Sequence, residues 1–449
     1  MLGYFFDHAA TSPIRQVAVD AWVEHAHLLN PAGQYGSGRK ANAALAQARE
    51  TIAELLGADP VEVIFTGSGT EADNIAVAGL YRASLTPGAG PAANPAADPA
   101  AGRVVSTSIE HPAVLETVKA LAASGAEVDY LQPSPTGFIE LDADVLSTPA
   151  AVATMMWANN ETGAIQPVER FVELAAAAGT PTHIDAVQVV GHLPVDFRAL
   201  GATTLAASAH KFGGPKGVGI LLAKRSPAPT AIIHGGGQER GLRSGTVDVA
   251  SAAATAAALK EAVAEMEAEA HRLSTLKNRL VHHLRTAIPD CIVTAAGAEA
   301  AGAEPTAATQ ELAGATPAAA ATPAAARDGL AGAGATPTAA ATPAAARDGL
   351  AGAAPAVLPG HAHFQFPGAN GDAMIMLLDS HGIEASTGSA CNSGVNRLSH
   401  VLEAMGADEA NALGALRFTM GRDTGEEAVD KLCSVLPDVI ERARVAAKF

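Results

Sequence analysis

The chain has 449 residues, enough for more than one domain and a large core, and its formal net charge of −17 argues against nucleic acid as a general partner. Hydrophobic residues make up 48% but aromatics only 4%, so Leu, Val and Ile must do most of the packing. The three cysteines, Cys291, Cys391 and Cys433, are odd in number and far apart; they exclude a disulfide framework and a Cys-x-x-Cys metal pattern, and suit a reducing cytoplasm.

The first residues, Met1-Leu2-Gly3-Tyr4-Phe5-Phe6-Asp7-His8, lack the basic and long apolar regions of an export signal. The alanine-rich tracts are broken by Pro and Gly before they reach the ~18 apolar residues of a membrane span. A soluble, cytoplasmic protein is expected. Strands are predicted at Val61–Thr66, Arg103–Thr107, Ala126–Leu131, Val152–Trp157, Thr182–Asp185, Thr203–Ala207 and Val218–Leu222. Helices are predicted between them at Glu71–Arg82, Ala113–Ser124 and Val168–Ala178. That alternation predicts βαβ units, a mostly parallel sheet and an α/β fold with ligands at the carboxyl ends of the strands. A long helix is predicted from about Val247 to Ile288, bent along its length and stopped by Pro289. It would lead into a smaller α+β domain with strands at Cys291–Thr294 and His361–Phe366 and helices near Asp372–His381 and Glu426–Ala446. Two segments read as insertions. Thr86–Gly102 is Pro/Ala/Gly-rich, and Ala295–Ala356 repeats Arg327-Asp328-Gly329-Leu330 as Arg347-Asp348-Gly349-Leu350 among Ala-Thr-Pro runs. The second lacks bulky apolar residues and is expected to be disordered, without a catalytic role.

The residues able to carry chemistry cluster after the predicted strands. Thr66-Gly67-Ser68-Gly69-Thr70-Glu71-Ala72-Asp73-Asn74 opens a helix with small residues, so backbone N–H groups and the helix N-terminus can meet a phosphate. Many strand-to-helix turns look like this, but the absence of a Walker lysine disfavours a nucleotide P-loop. Glu110-His111-Pro112 places a histidine where it can stack on a planar ring; a lone His before Pro is more often structural. Asn160, in Trp157-Ala158-Asn159-Asn160-Glu161-Thr162-Gly163, is placed to bond a ring hydroxyl or a substrate. Most telling is Ser208-Ala209-His210-Lys211-Phe212-Gly213-Gly214-Pro215-Lys216-Gly217, preceded by His183-Ile184-Asp185-Ala186-Val187-Gln188. A lysine kept unprotonated in a water-poor pocket, with an aspartate for a ring nitrogen, is what a pyridoxal 5'-phosphate site requires. On its own, a His-Lys in a glycine turn is usually a surface feature.

Gly235-Gly236-Gly237-Gln238-Glu239-Arg240-Gly241-Leu242-Arg243-Ser244-Gly245-Thr246 is either an ordinary flexible loop or a phosphate contact made by Thr246, reaching into a neighbouring subunit. Ser386-Thr387-Gly388-Ser389-Ala390-Cys391-Asn392-Ser393-Gly394 puts a thiol among small residues, unlike Cys433 and Cys291, which sit among apolar neighbours as structural cysteines do. Cys391 therefore reads as a nucleophile. In Leu416-Arg417-Phe418-Thr419-Met420-Gly421-Arg422, near a strand end, one guanidinium can clamp an α-carboxylate.

Together with Phe6-Asp7-His8-Ala9-Ala10-Thr11-Ser12-Pro13, these blocks run in order along nearly the whole chain outside the two insertions. They resemble the cysteine desulfurases of the NifS/IscS type, in the class V aminotransferase family. The resemblance implies the PLP-dependent transferase fold (aspartate aminotransferase-like, fold type I). Residues 1–15 would form an arm packing with the small domain, 16–260 the large cofactor-binding domain, and 261–449 the small domain carrying the cysteine loop and the 295–356 insert. His8 and Phe212-Gly213 depart from the commoner family residues without touching the chemistry.

The resemblance also assigns roles. Lys211 is implied as the Schiff-base lysine, Asp185 as partner of the pyridinium nitrogen, Gln188 as partner of the ring hydroxyl, and His111 as the residue stacked on the ring. Gly69, Thr70, Ser208 and His210 would hold the phosphate, joined by Thr246 from the second subunit of a homodimer. Asn160 and Arg417 would position L-cysteine. Cys391, the sulfur acceptor, would carry a persulfide to proteins of iron–sulfur cluster assembly or tRNA thiolation, with a nearby base such as His111 helping to ionise it. No resident metal is expected, though the Cys391 thiol could ligate iron or a cluster transiently. Two rival readings use the same blocks. A class V aminotransferase or lyase would not need Cys391, and a non-catalytic assembly subunit would not keep Lys211, Asp185 and Cys391 together.

Overall fold

The structure is a computed structural model and describes residues 3–85, 102–295, 357–388 and 398–447. The Cys391 segment, most of both predicted insertions and the extreme termini lie outside the described residues. Twelve strands are described: β1 Tyr4–Phe5, β2 Val63–Thr66, β3 Arg103–Thr107, β4 Glu127–Leu131, β5 Val152–Met156, β6 Thr182–Asp185, β7 Thr204–Ser208, β8 Gly219–Ala223, β9 Ile292–Val293, β10 His361–Gln365, β11 Ile383–Glu384 and β12 Ala415–Thr419.

Seven of them form one sheet in the order β2-β8-β7-β6-β5-β3-β4. β7, β6, β5, β3 and β4 run parallel, and β8 is antiparallel to both β7 and β2. The mostly parallel sheet expected from the alternating pattern is present. Strands covered on both faces must be apolar nearly throughout, and β5, β6, β7 and β8 are buried at every position. β4 lies at the edge, where Glu127 and Asp129 can face water. The parallel strands β3, β5, β6 and β7 all end on one side of the sheet, so the loops after them converge there.

A second sheet is antiparallel, in the order β12-β10-β9, with His363 opposite Arg417. β1 pairs in parallel with β11, which attaches the N-terminal residues to this part of the chain. Phe6 sits in the same apolar cluster as Phe364, Phe366, Leu416 and Phe418.

The predicted long helix runs as Val249–Ala287 over 39 residues, started by Asp248, whose carboxylate accepts the Ser251 N–H. Its composition changes along its length. The first half is alanine-rich, and Ala252, Ala254, Ala258 and Ala262 lie in the core cluster that also contains Ile184 and Leu205. The second half presents Leu273, Leu276, Leu280 and Leu284 to the cluster around Phe364. Ala18 of the helix Gln16–His25 and Ala41, Leu45, Ala48 and Ile52 of the helix Gly36–Leu55 belong to the same cluster as the alanine half. Among the described residues, no helix is long and apolar enough to cross a membrane.

Candidate active site

β7 leads straight into a single 3-10 turn, Ala209–Lys211. The chain can then fold back because Gly213 adopts φ +85°, where a Cβ would also meet the Arg15 side chain at 2.7 Å. Lys211 therefore points into a cavity of about 780 Å³ that opens at the carboxyl ends of the parallel strands. Its Nζ donates to the backbone carbonyls of Ala9 and, at 3.0 Å, Ala10. Burial, and then the nearby Arg417 guanidinium, lower its pKa to about 8, against the opposing pull of Asp185 and Asp7. A lysine in this state has a usable free-amine fraction near neutrality.

Asp185 ends β6 in the same cavity, and its Oδ1 accepts the Val187 N–H at 2.9 Å. Burial raises its pKa to about 6, opposed by that hydrogen bond and by Lys211. Beneath it lies a buried polar set. His183 contacts Asp73 Oδ1 through Nε2 at 3.1 Å and Thr204 Oγ1 through Nδ1 at 3.0 Å. Burial lowers the His183 pKa to about 3 and raises that of Asp73 well above the usual carboxylate value. Both shifts favour the uncharged form of each partner. Glu110 is also fully buried, and burial, then Asp185, raise its pKa well above the usual carboxylate value against the opposing pull of hydrogen bonding from Thr107 and the Met156 backbone. Burial thus favours the uncharged forms of Asp73 and Glu110, while Asp185, whose pKa rises only to about 6, lines the cavity at the end of β6.

The turn after β2 presents small residues and a helix N-terminus to the same cavity. Ser68 caps the helix Gly69–Ser84 by accepting the Glu71 N–H at 3.0 Å. Ser68, Gly69, Thr70, Ser208 and His210 all line the cavity. A Cβ at Gly69 would stand 3.0 Å from Val187 Cγ2 and 3.2 Å from Ser208 Cβ, so a side chain here would need these neighbours to give by a few tenths of an ångström. Burial, Lys211 and Lys216 lower the His210 pKa to about 4, and its Nδ1 contacts Thr11 Oγ1 at 3.1 Å. A helix N-terminus, hydroxyls and a neutral imidazole beside a lysine and a buried aspartate fit the phosphate, aldehyde and ring nitrogen of pyridoxal phosphate.

His111 lines the cavity and begins the helix Pro112–Ala123, its Nδ1 accepting the Ala113 N–H at 3.1 Å. Burial, with Lys211 and His400 nearby, lowers its pKa to about 4. At neutral pH its remaining proton sits on Nε2, so the ring enters the site as a donor. Gln188 gives its amide to the Ala9 carbonyl at 3.0 Å. Asn159 is buried and holds its turn by accepting the Glu161 and Thr162 N–H groups, which leaves Asn160 to line the cavity. Arg417 lies within β12 rather than at its end. Its Nη1 donates to the Asn160 carbonyl at 2.7 Å and its Nη2 to Asp7 Oδ1 at 2.5 Å.

One predicted site residue that the structure describes, Thr246, is not brought to this cavity; it is exposed. Its loop is braced on the phosphate turn instead: Arg243 Nε donates to Glu71 at 2.9 Å, and Glu239 accepts from Phe65 N–H and from Arg49. Cys391 lies outside the described residues; Gly388 and Ser399, on either side of its segment, line the cavity. Of the other cysteines, Cys433 is buried as expected, whereas Cys291 is only half-buried because it sits in the turn before β9. Burial raises the pKa of both thiols. The residues missed from sequence are Asp7, Ala9 and Ala10. Asp7 belongs to a block already notable for its composition, but two backbone carbonyls leave no side-chain signature.

The aminotransferase class-V family model matches residues 4–322. The chain is 39% identical to an IscS-like cysteine desulfurase of Mycobacterium tuberculosis over 99% of this chain and 98% of that one. It is 31% identical to cysteine desulfurase IscS of Dictyoglomus turgidum, over 99% and 96%. Among solved structures, a NifS-like protein superposes with a TM-score of 0.75 at 28% identity, covering 98% of this chain and 99% of that one.

Proposed function

Because the chain belongs to the aminotransferase class-V family and, within it, to the cysteine desulfurases of the NifS/IscS type, we propose how its own residues divide that reaction. The protein is a pyridoxal phosphate-dependent cysteine desulfurase that takes sulfur from L-cysteine and leaves L-alanine. The observation that carries the assignment of roles is the convergence of Lys211, Asp185 and the Gly69 turn on one cavity.

When bound, pyridoxal phosphate supplies the electron sink that allows bonds at the substrate's α- and β-carbons to break. Asp185 would pair with its ring nitrogen, Gln188 with its hydroxyl, and His111 with its face. Gly69, Thr70, Ser208 and His210 would hold its phosphate. Lys211 Nζ, with its lowered pKa, takes the α-proton and returns a proton to carbon. Arg417 and Asn160 orient the substrate, the guanidinium on its carboxylate. Cys391 as thiolate attacks the substrate's sulfur: an S–S bond forms, the C–S bond breaks, and its electron pair returns to carbon, which is protonated to give alanine. Cys391 is left as the persulfide. The buried or half-buried settings and raised pKa values of Cys433 and Cys291 favour Cys391 over them.

Thr246 is exposed on a loop tied to its own chain's phosphate turn. We assign it to the phosphate site of a second copy, in a homodimer. The persulfide would pass to acceptor proteins of iron–sulfur cluster assembly or tRNA thiolation, in the cytoplasm, where free thiols persist.

A desulfurase assay on wild type and Cys391→Ala, with mass spectrometry for a persulfide, tests the reading. Wild type should release sulfide from L-cysteine with a reductant and gain one sulfur on the Cys391 peptide. Cys391→Ala should bind the cofactor and release none. Full sulfide release by that variant would remove Cys391 from the mechanism.

A further inference from the structure

The carboxylate of Asp7 and the guanidinium assigned to the substrate line the same cavity and are paired with each other. Arg417 gives Nη2 to Asp7 Oδ1 at 2.5 Å and Nη1 to the Asn160 carbonyl at 2.7 Å, while its Nε is buried without a partner. Both residues border the cavity, yet the Arg417 side chain is 5% exposed and that of Asp7 23%. The acid is the more accessible member of the pair, and it already occupies one guanidinium nitrogen.

Asp7 is also firmly placed. It bridges to Thr419 on β12, and its own carbonyl accepts the Ala10 N–H at 3.0 Å. The next residues, Ala9 and Ala10, provide the carbonyls that hold Lys211. A guanidinium this deeply buried requires a counter-charge, and Asp7 provides it.

We propose that Asp7 is a specificity-determining residue that keeps Arg417 closed to simple anions. A carboxylate ligand must take the guanidinium over from Asp7. Exchanging one carboxylate for another gains little by itself, so occupancy depends on the contacts made by the rest of the ligand. An amino acid with further groups to bind can complete the exchange; a bare carboxylate cannot. This inference rests on the assignment of Arg417 to the substrate's carboxylate.

Propionate, a carboxylate with neither amine nor thiol, is the probe. Its binding to the full chain, with and without pyridoxal phosphate, is measured by calorimetry. Wild type should bind it weakly, Asp7→Asn about tenfold or more tightly, and Asp7→Asn/Arg417→Gln weakly again. Asp7→Glu, which keeps the charge, should resemble wild type. Asp7→Ser repeats the neutral test where Asp7→Asn does not fold. Propionate should also compete with L-cysteine in Asp7→Asn far more than in wild type. Unchanged or weaker propionate binding in the folded neutral variants would overturn the proposal, as would tight binding that survives loss of Arg417. Failure of wild type to release sulfide from L-cysteine would instead remove the desulfurase roles, leaving the propionate comparison standing.

Discussion

The hydroxyl of Ser399 donates to the carboxylate of Glu161 at 2.5 Å, both groups buried and 238 positions apart in sequence. Glu161 follows β5 in the Asn160 turn, and Ser399 caps the helix His400–Ala404 by accepting from Val401 and Leu402 N–H groups. The residue just after the 389–397 stretch is thus moored to the loop that holds Asn160, and Asn160 to Arg417.

Ser399→Ala removes a helix cap and leaves Glu161 buried without its partner. The expected cost is about 1–3 kcal/mol, read as a lower urea midpoint with an unchanged slope. A midpoint equal to that of wild type would mean that the bond carries no weight.

The free amine of Lys211 should appear with a midpoint near pH 8, not at the ordinary lysine value of 10.5. Its acylation in the cofactor-free protein, followed by peptide mass mapping, should rise as pH rises through 8 and fall away below it, where Nζ is protonated. Arg417 lowers this pKa, so Arg417→Gln should move the midpoint upward; Asp7 raises it, so Asp7→Asn should move it downward. Burial is the largest cause, and most of the depression should survive both changes. A wild-type midpoint near 10 would contradict the burial of this lysine.

Gly69→Ala places a methyl group against Val187 and Ser208 at 3.0 and 3.2 Å. The change should cost about 1–3 kcal/mol of stability, and also weaken cofactor binding, because the turn that must meet the phosphate is pushed out of place. Spectroscopic titration with pyridoxal phosphate checks the second effect. Unaltered cofactor affinity would show that the Gly69 turn is not part of the phosphate site.

Leu280→Ala empties a fully buried position on the second half of the long helix. A loss of about 2–5 kcal/mol is expected, measured by chemical denaturation. An exposed residue of the same helix, such as Lys260, should tolerate alanine with a change below about 0.5 kcal/mol.

Much of the fold was legible because its strands are apolar runs with clear ends. β3 and β6, and the helix Glu426–Ala446, have the predicted bounds, and the other predicted elements differ by a residue or two at their ends, whereas the helices Gln16–His25 and Gly36–Leu55 were not predicted. Lys211, Asp185 and the Gly69 turn could be read as a group because each follows a strand of one sheet. Asp7 could not be given its task in the same way, since its partner lies 410 positions away and an ion pair has no local pattern. The carbonyls of Ala9 and Ala10 are invisible for a simpler reason: every residue has one. His111 shows a different gap. Its position after β3 was evident, but its use of Nδ1 as a helix cap and its lowered pKa arise from packing.

The helix Val249–Ala287 has its alanine half in one apolar cluster and its leucine half in another. At ~1.5 Å per residue it extends for nearly 60 Å without a break. Helix formation is cooperative, and interrupting it midway forfeits hydrogen bonds on both sides of the break. Neither cluster can come apart without fraying the rod that supports the other. Slow amide exchange should therefore persist across the helix's middle, and the two clusters should melt as one body.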